Sequence, residues 1–213
     1  MKKYELLVDD TITFLGVQLF RIKALISFSG IEKGEVGGYI ASEKNLSQSG
    51  NAWVYGNAWV YGNAWVSGNA RVSGNAEVYG NAWVSGNAWV SGNARVSGNA
   101  EVSGNAEVYG NAEVSGNAEV SGNAEVYGNA WVSGNARVSG NADYIVFKNT
   151  WSSGRYFTYT KSDKKWRVGC FYGSGAELVE KAYKDSKKSG DFYKAYVDFV
   201  EKLEAIENIH KEQ

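Results

Sequence analysis

The chain has 213 residues, a formal net charge of −1 and 44% hydrophobic content, enough for one elongated domain with end modules. A near-neutral balance removes the electrostatic basis for general nucleic-acid binding or attachment to an anionic membrane. One Cys excludes an internal disulfide, no stretch has the pattern of a signal peptide or membrane span, and the expected compartment is the cytoplasm.

Residues 3–8, 11–14 and 17–28 are expected strands of a small hairpin or meander, broken at Asp9-Asp10 and Gly16. The Gly-rich segment 30–38 leads into degenerate hexads, where Ile40, Leu46 and Ala52 recur every six residues on one inward track. The coil is therefore expected to begin near Tyr39.

From Asn51 to Gly140 the chain is fifteen uninterrupted copies of Asn-Ala-x-Val-z-Gly, with Trp, Arg or Glu at x and Ser or Tyr at z. A fixed short period means one unit stacked on itself. Ala and Val share one face of a short strand and form the core, while Gly and Asn turn the chain. Two assemblies satisfy this pattern: a meander of tiny hairpins, or a coil of three hexapeptides. In a meander Glu101, Glu107, Glu113, Glu119 and Glu125 would lie side by side, a destabilising row of like charges. In an eighteen-residue coil one face stacks Trp53, Arg71, Trp89, Glu107 and Glu125, and the next stacks Trp59, Glu77, Arg95, Glu113 and Trp131. The third stacks Trp65, Trp83, Glu101, Glu119 and Arg137. Arg71 then falls between two indoles, suited to cation–π contact, and Arg95 between two carboxylates. The coil is the expected answer, with a narrow Ala/Val interior, amide ladders of Asn at its corners and five perfect turns rising roughly 24 Å.

The repeat fails at Asp143-Tyr144. Strands are expected at 144–148, 155–161 and 165–172, followed by a helix from Ser174, whose capping box is completed by Glu177. This helix should stop at Ser189-Gly190, and a second should restart at Asp191 with an apolar stripe of Phe192, Tyr196, Phe199, Leu203 and Ile206. The organisation is a β-strand cap over 1–38, a β-helix over 39–142 and a β-plus-two-helix cap over 143–213.

The run Val-Ser/Tyr-Gly-Asn-Ala-x resembles the hexapeptide motif of left-handed β-helix proteins, which implies a mainly β, left-handed parallel β-helix. More closely, the chain resembles a group of bacteriophage, prophage and gut-bacterial hexapeptide-repeat proteins, often called YdcK-like transferases or polymer-forming proteins. The matching segments are residues 19–25, Gly37 to Ile40 with Glu43 to Ser47, the repeats, and residues 166–173. The resemblance implies fold, phage or prophage origin and a habit of trimerising; no activity is general to the group.

The best-known left-handed β-helix enzymes are trimeric acyltransferases with a His general base. Here the single His, His210, lies near the end of the chain and none is in a repeat, so a degenerate acyltransferase is the least favoured reading. No metal-ligand spacing or cofactor motif is present, and no metal or cofactor is expected. The pairs Glu101/Glu119 and Glu107/Glu125 would sit about 5 Å apart, as in a retaining glycosidase or a weak Ca²⁺ site, but a solvated acidic face is preferred. The outward indoles of Trp53, Trp59, Trp65, Trp83, Trp89 and Trp131 are candidate interface residues for a homotrimer. In the C-terminal segment Trp151, Arg155, Tyr156, Tyr159, Trp166, Arg167, Ser174 and Gly175 are candidate ligands for a nucleotide or other small anion at a helix N-terminus. The competing reading there, a helix cap and aromatic mini-core that also takes in Cys170, is preferred. The expectation is a non-enzymatic scaffold or binding protein; the first alternative is a counter-defence protein that sequesters a nucleotide immune signal.

Overall fold

A computed structural model describes residues 2–211. They divide into two compact units, the first ending at Tyr144 and the second starting at Ile145.

In the first unit β1 (Tyr4–Phe14) and β2 (Val17–Ala24) form an antiparallel hairpin, and β3 (Val36–Ile40) pairs antiparallel with β2. Asp9-Asp10 does not end a strand: the register shifts between Leu7 and Thr11, so the extra residues are absorbed in a bulge. Fifteen two-residue strands follow, from β4 (Trp53–Val54) to β18 (Arg137–Val138), each formed by the x and Val of one copy. Each strand up to β15 pairs in parallel with the one three copies on, as in Trp53↔Arg71 and Trp89↔Glu107. The result is a parallel β-solenoid with eighteen-residue spacing and about six turns; the hairpin meander is excluded. Its three sheets run β4-β7-β10-β13-β16, β6-β9-β12-β15-β18 and, continuing the hairpin, β1-β2-β3-β5-β8-β11-β14-β17.

Every Ala and Val of the fifteen copies is at most 1% exposed, so these two residue types fill the interior of the repeats. At the corners Gly56 through Gly134 all take φ between +58° and +74°, where only a residue without Cβ is unstrained. Each corner also stacks on the next: a Cβ on Gly86 would lie 2.8 Å from the carbonyl oxygen of Gly104. The neighbouring Asn side chains form ladders, Nδ2 of one donating to Oδ1 of the Asn eighteen residues on, as from Asn69 to Asn87 at 2.9 Å.

The first turn departs from the sequence expectation. Ile40 pairs with Val60 and Leu46 with Val66, a spacing of twenty, so these two lie on the Val track while Ala52 belongs to the Ala track. All three are buried, and the 3₁₀ turn Glu43–Asn45 sits in the longer coil.

The inter-coil bonds at and beside the corners run one way, from an N–H in one coil to a carbonyl in the next, such as Asn87 N to Gly104 O at 2.7 Å. The first coil is thereby left with surplus carbonyls and the last with surplus N–H groups. Donors cover the first: Lys3 Nζ reaches Ala52 O at 2.8 Å, Asn45 Nδ2 reaches Ala64 O at 2.8 Å and Tyr4 Oη reaches Leu46 O at 2.7 Å. Burial lowers the Lys3 pKa to about 8. Acceptors cover the last: Asn141 Oδ1 takes the Glu125 N–H at 2.7 Å, and the Asp143 carboxylate takes those of Ser139 and Gly140 at 2.7 and 2.9 Å.

The second unit packs a sheet, made of β19 (Tyr144–Lys148) from Ile145 onward, β20 (Tyr156–Thr160), β21 (Lys165–Val168) and β22 (Phe171–Gly173), with helices α1 (Gly175–Asp185) and α2 (Lys187–Lys211). The expected strand over 165–172 is two strands, because Gly169 turns the chain at φ +57° and β22 folds back on β21. The helix break lies at Ser186 rather than Ser189-Gly190. Ser186 Oγ accepts the Ser189 N–H at 3.0 Å, while Gly190 is inside α2, at a point where a Cβ would lie 2.1 Å from Tyr183 Cδ1. This glycine permits close helix crossing. The buried face of α2 is Tyr193, Val197 and Val200; Phe199, Leu203 and Ile206 of the expected stripe are exposed.

Gly86→Ala and Gly128→Ala both place a Cβ at positive φ, but a Cβ on Gly128 meets nothing within 4 Å. Each is expected to cost about 1–2 kcal/mol in backbone conformation. Gly86→Ala should lower the chemical-denaturation midpoint further, and equal shifts would show that coil stacking does not require glycine.

Candidate surface of the solenoid

With the core and corners fixed by Asn, Ala, Val and Gly, the surface chemistry of the solenoid resides at x and z. The x residues stack in the three expected rows. Arg95 bonds Glu77 at 3.5 Å and Arg137 bonds Glu119 at 3.3 Å. Exposed pairs of this kind contribute about 0–1 kcal/mol each, so they set the order of residues more than stability. Glu101/Glu119 and Glu107/Glu125 are paired neighbours, and one member of each is already engaged: Glu119 by Arg137, and Glu125 by the Tyr109 hydroxyl at 3.2 Å. Arg71 lies between Trp53 and Trp89 in the row, but among the described residues the expected cation–π contact is not formed. Trp53 is covered by the edges of Tyr4 and Phe28, at centroid distances of 6.2 and 5.5 Å, and Trp89 leans toward Ser73.

That lean follows a rule. Trp83, Trp89 and Trp131 each point Nε1 at the z hydroxyl sixteen residues earlier, on Ser67, Ser73 and Ser115, at 3.5, 2.9 and 3.0 Å. Tyr61 and Tyr109 reach forward by the same offset to Glu77 and Glu125, at 3.5 and 3.2 Å. Across the repeats each Tyr at z is followed sixteen residues later by a charged side chain: Arg71, Glu77, Arg95, Glu125 or Asp143. No Trp follows a Tyr at this offset. An indole lies over the z residue of the preceding coil, where a small hydroxyl leaves room and accepts its N–H; a phenol ring would fill that space. Tyr residues stack instead on one another, Tyr61 on Tyr79 at 5.1 Å and Tyr109 on Tyr127 at 5.5 Å.

The six candidate interface indoles are thus not equivalent. Trp53 is fully buried beneath the N-terminal segment and is structural, because the chain folds back over it. Trp59, Trp65 and Trp131 are half-buried, and Trp83 and Trp89 are 50% and 43% exposed. Tyr127, absent from the sequence-derived set, is equally open at 50%.

In the second unit the candidate anion site is largely taken up by structure. Tyr159 and Trp166 belong to the core with Phe157, Leu178 and Tyr193, so neither offers a free ring face to a ligand. Burial and then the Glu204 carboxylate, which accepts the Tyr159 hydroxyl, raise that phenol's pKa. Ser174 caps α1: its Oγ accepts the Glu177 N–H and its own N–H donates to Glu177 Oε2 at 2.7 Å. Gly175 lies where a Cβ would meet Val197 Cγ1 at 2.6 Å. Arg167 donates to the Cys170 carbonyl at 3.4 Å, Tyr156 lies under Lys148 Nζ at 5.3 Å, and Arg155 is exposed. Trp151 is 66% exposed and stacks parallel to Phe192 at 6.2 Å. Cys170, expected in the core, is exposed because it occupies the turn between β21 and β22. Among the described residues no cluster of three His, Cys, Asp or Glu is arranged to hold a metal ion, and no helix is long and apolar enough to cross a membrane.

Residues 52–68, 76–92 and 88–104 match the family model of the YdcK β-solenoid repeat. No curated protein matches the chain. The match covers repeat copies and agrees with the solenoid geometry; it carries no activity.

Ser73→Tyr is expected to push the Trp89 indole off its seat and raise acrylamide quenching of tryptophan fluorescence, with β-sheet circular dichroism retained. Ser91→Tyr, with Glu107 at the same offset, should leave quenching unchanged; equal responses would refute the packing rule. A second expectation concerns alkaline pH. Burial, reinforced by Glu77, pushes the Tyr61 pKa up to about 12, and burial does the same for Tyr144. The unfolded chain releases these protons near pH 10 while the folded chain keeps them. Their contribution to stability is full below about pH 10 and is lost as pH rises toward 12. Melting temperatures that stay level across that window would contradict it.

Proposed function

We propose that this β-solenoid repeat protein is a non-enzymatic scaffold that self-associates as a homotrimer and binds partners through the outer face of its column. The observation that carries the reading is the division of labour in the hexapeptide. Four positions meet every backbone and core demand, yet the x positions hold large aromatic and charged residues, and Trp83 and Trp89 stand about half exposed on adjoining faces. Exposed indoles at regular spacing add nothing to the interior, and aromatic residues gathered on a surface are the usual anchors of interfaces. Support also comes from what the column lacks among the described residues: no repeat carries a His, and the acidic pairs have donors or open solvent beside them, with no third ligand. We take its setting to be the cytoplasm, that of an infected host if the gene is carried by a phage.

Native mass spectrometry of the full chain is expected to give three copies, and Trp83→Ser combined with Trp89→Ser a single copy with unchanged circular dichroism. A monomeric unmodified protein would sink the self-association reading.

A further inference from the structure

The row of x residues nearest the hairpin runs Tyr39, Trp59, Glu77, one per coil. β1 brings Ile12 alongside, and the preceding corner brings Asn57 and Asn75; these six residues line an open cleft of about 300 Å³. Its walls are fixed before any ligand arrives. Phe14 of β1 packs on Trp59 at 5.1 Å, and Arg21 of β2 ties the hairpin to the first coil. Arg21 pairs with Asp10 at 3.0 Å, lies over the Tyr39 ring at 4.3 Å and donates to Gly37 O at 3.0 Å.

The amide ladder is interrupted at this cleft. At the other two corners it starts with the first Asn pair, Asn51 to Asn69 and Asn63 to Asn81. At this corner it starts one coil later, Asn75 to Asn93. Among the described residues no rung joins Asn57 to Asn75, and the backbone bond from Asn57 N to Gly74 O is stretched to 3.2 Å, against 2.7 Å at Asn63 and Asn69. The Gly56 corner is correspondingly looser: a Cβ there would stand 3.9 Å from Gly74 O, against 3.1 Å for Gly62 and Gly80. An amide donor and an amide acceptor are thus released beside an indole, with the Glu77 carboxylate at the far end. Among the described residues the Glu77 carboxylate holds only long contacts, to Tyr61 and Arg95 at 3.5 Å each.

We infer that this cleft is a binding site for one or two rings of a neutral carbohydrate. A sugar hydroxyl both donates and accepts, and the cleft supplies both partners: Asn Nδ2 groups that donate, and Asn Oδ1 and carboxylate oxygens that accept. Trp59 supplies the apolar surface for the C–H face of the ring. Phosphate and other anions are disfavoured, because Glu77 is the charge lining the cleft and Arg21 is already paired with Asp10. A flat base is also poorly served, since Tyr39 and Trp59 are successive residues of one row and not two facing plates. The volume is at the small end of ligand sites, which run from about 300 Å³ upward. The site does not involve Trp83 or Trp89 and goes beyond the scaffold reading.

The test is calorimetry and saturation-transfer NMR on the full chain with neutral gluco-, manno-, galacto- and N-acetylglucosamine oligosaccharides, and adenosine monophosphate as the anionic competitor. At least one neutral sugar is expected to bind with Kd on the order of 1 mM or tighter. Glu77→Gln should weaken it about tenfold, the loss of one charge-assisted hydrogen bond. Trp59→Ala should abolish binding, but it also removes a contact to Phe14, so Asn57→Ala, whose side chain is outside the ladder, provides the independent check and should weaken binding by a similar factor. Glu101→Gln, on another face of the column, should leave binding intact. Silence across the sugar panel, affinity indifferent to both Glu77→Gln and Asn57→Ala, or preference for the nucleotide would each overturn the assignment.

Discussion

The structure of the first unit depends on the hydrogen bond between successive corners, Asn N–H to Gly carbonyl at 2.7 Å in most coils, repeated down three edges. This bond can form only if corner backbones approach until there is no room for a side chain, and only if the corner residue tolerates positive φ. Glycine meets both conditions, and asparagine beside it adds a second rung through its side-chain amide. Because the bond has a direction, the two ends of the stack are chemically different. The first coil is capped by groups that donate, including the buried ammonium of Lys3, and the last by an Asn oxygen and a carboxylate. The end chemistry follows from the sense of one backbone bond, and it explains why the repeat yields to Asp at position 143.

Once the backbone is fixed this way, the remaining two positions of each copy are free of the fold but not of each other. The contact between x and the z residue of the previous coil spans sixteen residues, so Trp, Ser, Tyr and charge are placed diagonally across the surface. Surface diversity is therefore built within a local packing rule. A solenoid of this kind can carry different surface patterns on one unchanged interior, which is the physical basis for reading it as a scaffold.

The second unit follows the ordinary logic of a small β-plus-α core. Trp151, Tyr156, Phe157, Tyr159, Trp166, Phe171 and Tyr172 lie close in sequence, and the same features that suggest a stacking site, Tyr159 and Trp166 beside a capped helix, are what a thin sheet needs to fill its contact with two helices. Residues that are ambiguous in sequence between ligand and core are assigned here by burial.

The sequence by itself determined the column: the period fixes eighteen residues per coil, the Ala/Val pair fixes the interior, and the Glu positions exclude the hairpin alternative through like-charge repulsion. The N-cap at Ser174 was equally legible, because it is written in adjacent residues. Tertiary structure alone decided which indoles are surface, since Trp53 and Trp89 occupy identical positions in the repeat and the N-terminal segment folds over one of them. It also decided the twenty-residue first turn, the inward face of α2 and the place of Gly190, each set by a partner distant in sequence or across a helix crossing. The cleft of Tyr39, Trp59 and Glu77 was hidden for the same reason: its wall is a hairpin strand more than forty residues from the Trp it covers, and no local pattern specifies where such a strand will lie.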